Sequence, residues 1–219
     1  MDLTPLTKEV DERYRQVRGE QTVKALEKRG FPACYVATKA EAVAKVLEVI
    51  PPGASIGVGG SVTIRELGLI DELTGRGHRV IHHWQSGLSA KEIDGLRKEA
   101  MFADIYLTSS NAITVDGQLV NTDGVGNRVA AMIYGPGTVV VIAGVNKIVG
   151  DVEGAFERIQ HQAAPKNGIR LETKTPCTIL GYCNDCDSAA RMCKAKVVLE
   201  RKPTATDYQV IIVGEDLGY

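Results

Sequence analysis

Over about the first 105 residues, short apolar runs of strand length alternate with amphipathic helical segments, and glycines or prolines mark the joints. Strands separated by a helix pair in parallel, because only a long crossover returns the chain to the same end of a sheet. "ACYVAT", "ASIGVGG", "HRVIHHW" and "ADIYLTSS" read as strands, with "KAEAVAKVLEVI", "VTIRELGLIDELT" and "AKEIDGLRKEAM" as the helices between them. An opening helix is expected over residues 6–30, with Val10, Tyr14, Val17, Val23 and Leu26 on one face and Gly30 and Pro32 as the stop. The pattern predicts a layered, mostly parallel α/β sheet. With 44% hydrophobic but only 5% aromatic residues, the core is filled chiefly by Val, Ala, Ile and Leu.

Beyond residue 110 the pattern changes. "AITV" and "QLV" flank Asp116-Gly117, a hairpin signal that accounts for Asp116 without a catalytic role. "NTDGVGN" reads as a loop, "RVAAMIYG" as a helix, "TVVVIAG" as a buried strand, "NKIVG" as a loop and "DVEGAFERIQHQ" as a helix capped by Asp151. "KAKVVLER" and "DYQVIIVGED" are two late strands that either pair together or return to the main sheet. No repeat or low-complexity linker interrupts the chain, so one domain over residues 1–219 is expected. With 26 basic and 27 acidic residues, there is no basic excess to suggest a nucleic-acid partner. The charged N-terminus lacks an apolar signal core and no run reaches the length of a membrane span, which points to the cytoplasm.

Ligands of open α/β sheets sit beyond the carboxyl ends of the strands, and three loops qualify. "GVGGS" brings Gly59, Gly60 and Ser61 into a helix start, where backbone N–H groups suit an anion; the plainer reading is a tight turn with Ser61 as cap. Asn121, Asp123, Asn127 and Arg128 gather in "NTDGVGNR", where a carboxylate, phosphate or polyol would meet amides and a guanidinium clamp, or where all four serve as turn and cap residues. "GVNK" places Asn146 and Lys147 at the end of the most apolar strand; Lys147 either binds an anion, acts chemically with a lowered pKa, or is an ordinary surface lysine. His82 and His83 point to opposite faces of their strand and read as a solvated strand end.

Four of the five cysteines, Cys177, Cys183, Cys186 and Cys193, fall in the segment 175–194 with spacing C-x5-C-x2-C-x6-C. In a reducing compartment such a cluster points to metal or redox chemistry. Thiolates suit zinc and iron–sulfur clusters alike, and free redox-active thiols remain a third reading. Zinc sites more often present paired CxxC units, and only one is here, which puts an iron–sulfur cluster, 4Fe–4S by its four ligands, ahead of zinc. Cys34 reads as a buried thiol.

Taken together, "GVGGSVTIRELGL", "TSSNAITVDGQLVNTDGVGNRVAAMIYGP", "VVVIAGVNKIV" and "TPCTILGYCNDCDSAARMC" resemble the LUD (lactate-utilisation) domain family, from about Val23 onward. The cysteine tail is similar to that of short stand-alone members. The resemblance implies a Rossmann-like sheet of the ribose-5-phosphate isomerase and CoA-transferase superfamily. The family includes a subunit of an iron–sulfur system that oxidises L-lactate to pyruvate. Asn111, Asn121, Asp123, Asn127, Arg128, Asn146 and Lys147 match its motif positions, as pocket candidates.

Three functions are therefore in contention. The first is a lactate-utilisation-type protein that binds a small organic acid and carries an iron–sulfur cluster, or docks with a redox partner protein that holds one. The second is an isomerase- or transferase-like enzyme on a sugar phosphate or acyl substrate, with structural zinc and with Lys147 and Asp123 in acid–base roles. The third is a non-catalytic metabolite or redox sensor. A homodimer is compatible with all three.

Overall fold

The structure is a computed structural model that describes residues 4–219, with side chains from Leu6 onward. Its centre is a six-stranded, wholly parallel sheet formed by β1 (Ala33–Val36), β2 (Ile56–Val58), β3 (Val80–Ile81), β4 (Ile105–Thr108), β7 (Thr138–Gly144) and β10 (Asp207–Val213). The strand order is β1-β10-β7-β4-β2-β3. Seven consecutive partners, Asp207↔Thr138 to Val213↔Gly144, tie β10 to β7. Side chains alternate along β7. Val139, Val141 and Ala143 enter one core with Leu26, Phe31, Tyr106 and Met132, while Val140 and Ile142 enter the other with Val46, Ile64, Leu69 and Leu73. The expected layered α/β architecture is present.

A second sheet, not anticipated, consists of β5 (Ala112–Thr114), β6 (Leu119–Asp123), β8 (Ile148–Val149) and β9 (Ala195–Leu199) in the order β8-β5-β6-β9. The Asp116-Gly117 hairpin is its nucleus, and Gly117 adopts the left-handed φ of 83° that such a turn requires. The two late strands part company: β10 enters the main sheet, while β9 runs antiparallel to β6, with Ala195 opposite Asp123.

α1 (Thr4–Lys28) starts two residues ahead of the expected 6–30 span and ends two short of it. Leu26 is buried and Val23 packs on the core, but Val10, Tyr14 and Val17 are exposed, because only the second half of α1 crosses the sheet. α2 (Lys39–Val49) and α5 (Ala90–Ala100) each open on a capping box, Thr38 with Glu41 and Ser89 with Glu92. The helix expected over 62–74 is broken into α3 (Val62–Glu66) and α4 (Leu69–Gly75) by Gly68, whose φ of 65° ends the first segment. The strand expected through "HRVIHHW" is only Val80–Ile81, so His82 and His83 lie in the loop after it.

α6 (Asn127–Ile133) follows the glycine loop. α7 (Val152–Arg158) is capped by Asp151, which accepts from the Gly154 N–H at 2.8 Å. It passes through a π-helical turn, Ile159–Ala163, into α8 (Ala164–Arg170). Pro165 cannot donate back to residue 161, and the Ala164 N–H reaches Ile159 instead, one residue beyond the α register. α9 (Cys177–Leu180) and an irregular stretch complete the cysteine lobe. No described helix is long and apolar enough to cross a membrane.

Candidate functional site

At the carboxyl ends of β2, β4 and β7 lies a cavity of about 140 Å3, lined by Gly60, Ser61, Thr63, Ser109, Asn111 and Lys147 among others. Lys147 occupies the 3₁₀ turn directly after β7 and is 3% exposed. Its ammonium donates to Thr63 Oγ1 at 2.9 Å and Ser109 Oγ at 3.0 Å, and among the described residues no carboxylate pairs with it. Burial, then Arg158 and Arg128, push its pKa down to about 7. At neutral pH the amine is thus poised between its charged and neutral forms, as a proton-exchanging group needs to be.

The other loop residues divide into those that line the cavity and those that hold its walls. Ser61 does both, lining the cavity while its hydroxyl caps α3 at the Ile64 N–H, 3.4 Å away. Gly59 lies just behind, where a Cβ would fall 3.0 Å from the Tyr106 hydroxyl. α3 has only five residues, so the expected dipole attraction for an anion is small.

Arg128 has all five of its donors occupied by protein acceptors. Nε and Nη2 reach Asp123 Oδ1 at 3.1 and 3.0 Å, Nη2 also reaches Asn111 Oδ1 and the Thr122 carbonyl, and Nη1 reaches the Ser109 carbonyl and Asn121 Oδ1. Asp123 spends its second oxygen on the Val129 N–H at 3.2 Å. The guanidinium that the sequence offers as a ligand clamp is here the hub binding β4, β6 and α6 together, and Asp123 is its ion-pair partner. Asn121 is fully buried in that hub, whereas Asn111 also lines the cavity. Asn127 faces a neighbouring basin together with Arg128. Asn146 faces neither: it brackets the C-terminal segment by accepting from the Leu217 N–H and donating to the Gly218 carbonyl.

Several functional groups escaped the sequence reading. Ser109 and Ser110 line the cavity, and the small polar end of "ADIYLTSS" was their signal; Thr63 lines it from α3 with no such signal. Arg158, 8% exposed, donates to the carbonyls of Asn146 and Asn111, fixing the turn that carries Lys147. The π turn supplies Ile159 and Ala163 to the cavity wall; Pro165 within a helical pattern was its only trace.

The cysteine lobe packs directly over this cavity. Cys193 and Met192 line it, and the Lys194 N–H bonds to the Asp123 carbonyl at 2.9 Å. Contact is so close that a Cβ on Gly124 would fall 2.8 Å from the Met192 carbonyl oxygen. Cys177, Cys183, Cys186 and Cys193 together line an adjoining space of about 30 Å3. The Cys193 thiol is pushed up in pKa by burial and then by Cys183, Cys177 and Cys186, so the other three lie within electrostatic reach of Cys193. Arg191 braces the rim through the carbonyls of Cys186 and Cys193. Among the described residues no three His, Cys, Asp or Glu side chains converge closely enough to hold one metal ion. Cys34 lies apart, half-buried in β1.

Comparison with known proteins places this arrangement in context. The family model described as the LUD domain matches residues 19–213. Among solved structures the fold is similar to that of a DUF162 family protein from Deinococcus radiodurans, with a TM-score of 0.53 over 91% of this chain and 98% of that one. Identity is 15%, so the likeness concerns the fold alone. No curated protein matches the chain.

Proposed function

The chain belongs to the LUD domain family, which is associated with lactate utilisation, and from that premise we propose that it binds a small hydroxy- or keto-acid at Lys147 and holds an iron–sulfur cluster on Cys177, Cys183, Cys186 and Cys193. The observation that carries the reading is the juxtaposition of two chemistries. A buried, unpaired amine and four gathered thiols sit on either side of one wall, and Cys193 belongs to both spaces.

The volume supports a small ligand. An engineered cavity of about 150 Å3 takes benzene, a molecule of six heavy atoms, and a three-carbon hydroxy acid has the same number. Lys147 in its protonated form attracts the carboxylate, and the Thr63, Ser109 and Ser110 hydroxyls complete a polar cradle. In its neutral form Lys147 is a base within reach of a substrate hydroxyl, and Arg158 keeps it there through the backbone.

The donor set suits a cluster. Four thiolates around a common space repel one another, and a cationic iron core relieves that repulsion while Arg191 and Lys196 on the rim offset the residual negative charge. A single zinc ion needs all its sulfurs about 2.3 Å from one point, whereas the separate irons of a cluster accept thiolates spread around it. A cluster held there would supply one-electron transfer, and a redox partner protein would take up the electrons.

Anaerobic reconstitution with iron and sulfide tests the reading. About four irons per chain, with broad visible absorption that vanishes in a Cys183→Ser, Cys186→Ser variant, is the expected result. Lactate or pyruvate should raise the unfolding temperature of the loaded protein but not of Lys147→Met. A colourless protein that retains stoichiometric zinc would instead favour the isomerase- or transferase-like alternative, in which Lys147 performs acid–base work beside a structural metal.

A further inference from the structure

Beside the Lys147 cavity, and sharing Gly60, Asp123 and Arg128 with it, opens a wider basin of about 340 Å3. Its lining is unbalanced. Arg97, Arg128, Arg170, Arg191 and Lys194 face it against one carboxylate, Asp123, which is already spent on Arg128. The imbalance is local, since the whole chain carries a formal charge of −1.

These cations come from separate parts of the chain: Arg97 from α5, Arg170 from α8, and Arg191 and Lys194 from the cysteine lobe. Arg97, Arg170 and Lys194 make no ion pair among the described residues, whereas the residue next to Arg97, Lys98, pairs with Asp94 as a solvated helix face does. The Arg97 Nε is buried without any acceptor, and Arg170 has only the Asn167 side-chain oxygen. Like charges brought together without counterions oppose folding, and an unsatisfied buried guanidinium donor adds to the cost. An anionic ligand removes both penalties.

One stretch of the wall is aromatic. His83 and Trp84, from the loop after β3, line the basin with ring centroids 5.2 Å apart, and Arg65 stacks 5.4 Å from the Trp84 ring centroid. Burial, then Arg97, holds the His83 pKa down at about 4, so it presents a neutral ring at physiological pH. The volume lies within the range of about 300–1,000 Å3 typical of cofactor-sized sites.

We propose that this basin binds a phosphorylated ligand bearing a planar ring, a nucleoside diphosphate or triphosphate by class, with its phosphates on Arg97, Arg170 and Lys194 and its ring against His83 and Trp84. The site goes beyond the reading of the Lys147 cavity and needs neither the cluster nor the organic acid. Its position against Met192 and Gly60 makes it a second compartment opening on the same wall.

The chain has a single tryptophan, so intrinsic emission reports this basin directly. Titration of the full chain with ADP should change Trp84 emission saturably. Pyrophosphate should compete with ADP, and adenosine should bind at least tenfold more weakly. An Arg97→Gln, Arg170→Gln variant with an unchanged unfolding midpoint should bind ADP at least tenfold more weakly. Should that pair not fold, Lys194→Glu, on an exposed side chain, should weaken ADP in the same direction. Unchanged emission together with no calorimetric heat on adding ADP overturns the proposal. So does adenosine that binds as tightly as ADP, or wild-type affinity in the arginine variant or in Lys194→Glu.

Discussion

Lys147 sits where a lysine costs most. Its four-carbon stem buries the ammonium, where two hydroxyls stand in for much of a lost hydration shell and Arg158 and Arg128 add positive potential. A folded-state pKa of about 7 against an ordinary value of 10.5 means that between those limits the unfolded chain holds a proton the folded one has released. Stability must therefore rise as pH rises through that window, and the full penalty, on the order of a few kcal/mol, is present below it. Lys147→Met should abolish this rise and leave the protein more stable by about 1–2 kcal/mol at pH 7, even after losing the bonds to Thr63 and Ser109. The difference in urea midpoint between the two proteins from pH 7 to about 9.5 would show it, since the Cys34 and Cys193 thiols, raised by burial, subtract from both alike, as do the buried Tyr106 and Tyr208 hydroxyls above that window. A parallel slope in both proteins would mean that Lys147 keeps its ordinary pKa. The residue's position was legible in the sequence, since a lysine following "TVVVIAGVN" falls at a strand's carboxyl end. Its burial was not, because the residues that enclose it come from Thr63, Ser109 and Arg158, and only the folded sheet brings them together.

At the scale of elements, two glycines have opposite tasks. Gly68 breaks a helix by its conformation, with open space where a side chain would go. Gly124 permits contact between the loop after β6 and the cysteine lobe. Alanine at position 68 should cost about 1–2 kcal/mol of left-handed strain and leave the reconstituted iron content untouched. Alanine at position 124 should cost about 1–3 kcal/mol through overpacking against the Met192 carbonyl and also lower the iron retained per chain. Paired unfolding curves and iron assays separate the two effects, and equal iron content would detach the lobe's packing from its ligand set. The same contrast marks what local pattern reveals. The Asp151 cap, the Asp116-Gly117 turn and the β-branched run of β7 declare themselves over a few residues. The second sheet does not, since β8 has two residues, β5 has three, and pairing across 72 positions joins Asp123 to Ala195. Arg128 shows a related limit: the sequence presents a guanidinium beside glycines, and only the fold shows five internal acceptors around a residue that also lines the cavity.

Across the whole molecule, rigidity is distributed unevenly, and the distribution follows the proposed chemistry. β7 and β10 are buried and bonded on both sides, at the centre of a sheet with a core on each face. The cysteine lobe is fastened at its ends, by α8 on entry and β9 on exit, yet between Gly181 and Lys194 its internal backbone bonding is reduced to single turns such as Arg191 to Ser188. A segment so sparsely bonded opens at low free-energy cost, and a ligand that binds only its closed form slows the opening by mass action. Native-state hydrogen exchange should therefore find β7 and β10 slowest and residues 182–192 fastest in the metal-free chain. Loading the cluster should slow 182–192 by at least tenfold and leave β7 and β10 unchanged. If the lobe exchanges as slowly as β7 before any metal is added, the thiols are already locked by protein contacts alone, and the four sulfurs lose their physical reason to need a shared inorganic centre.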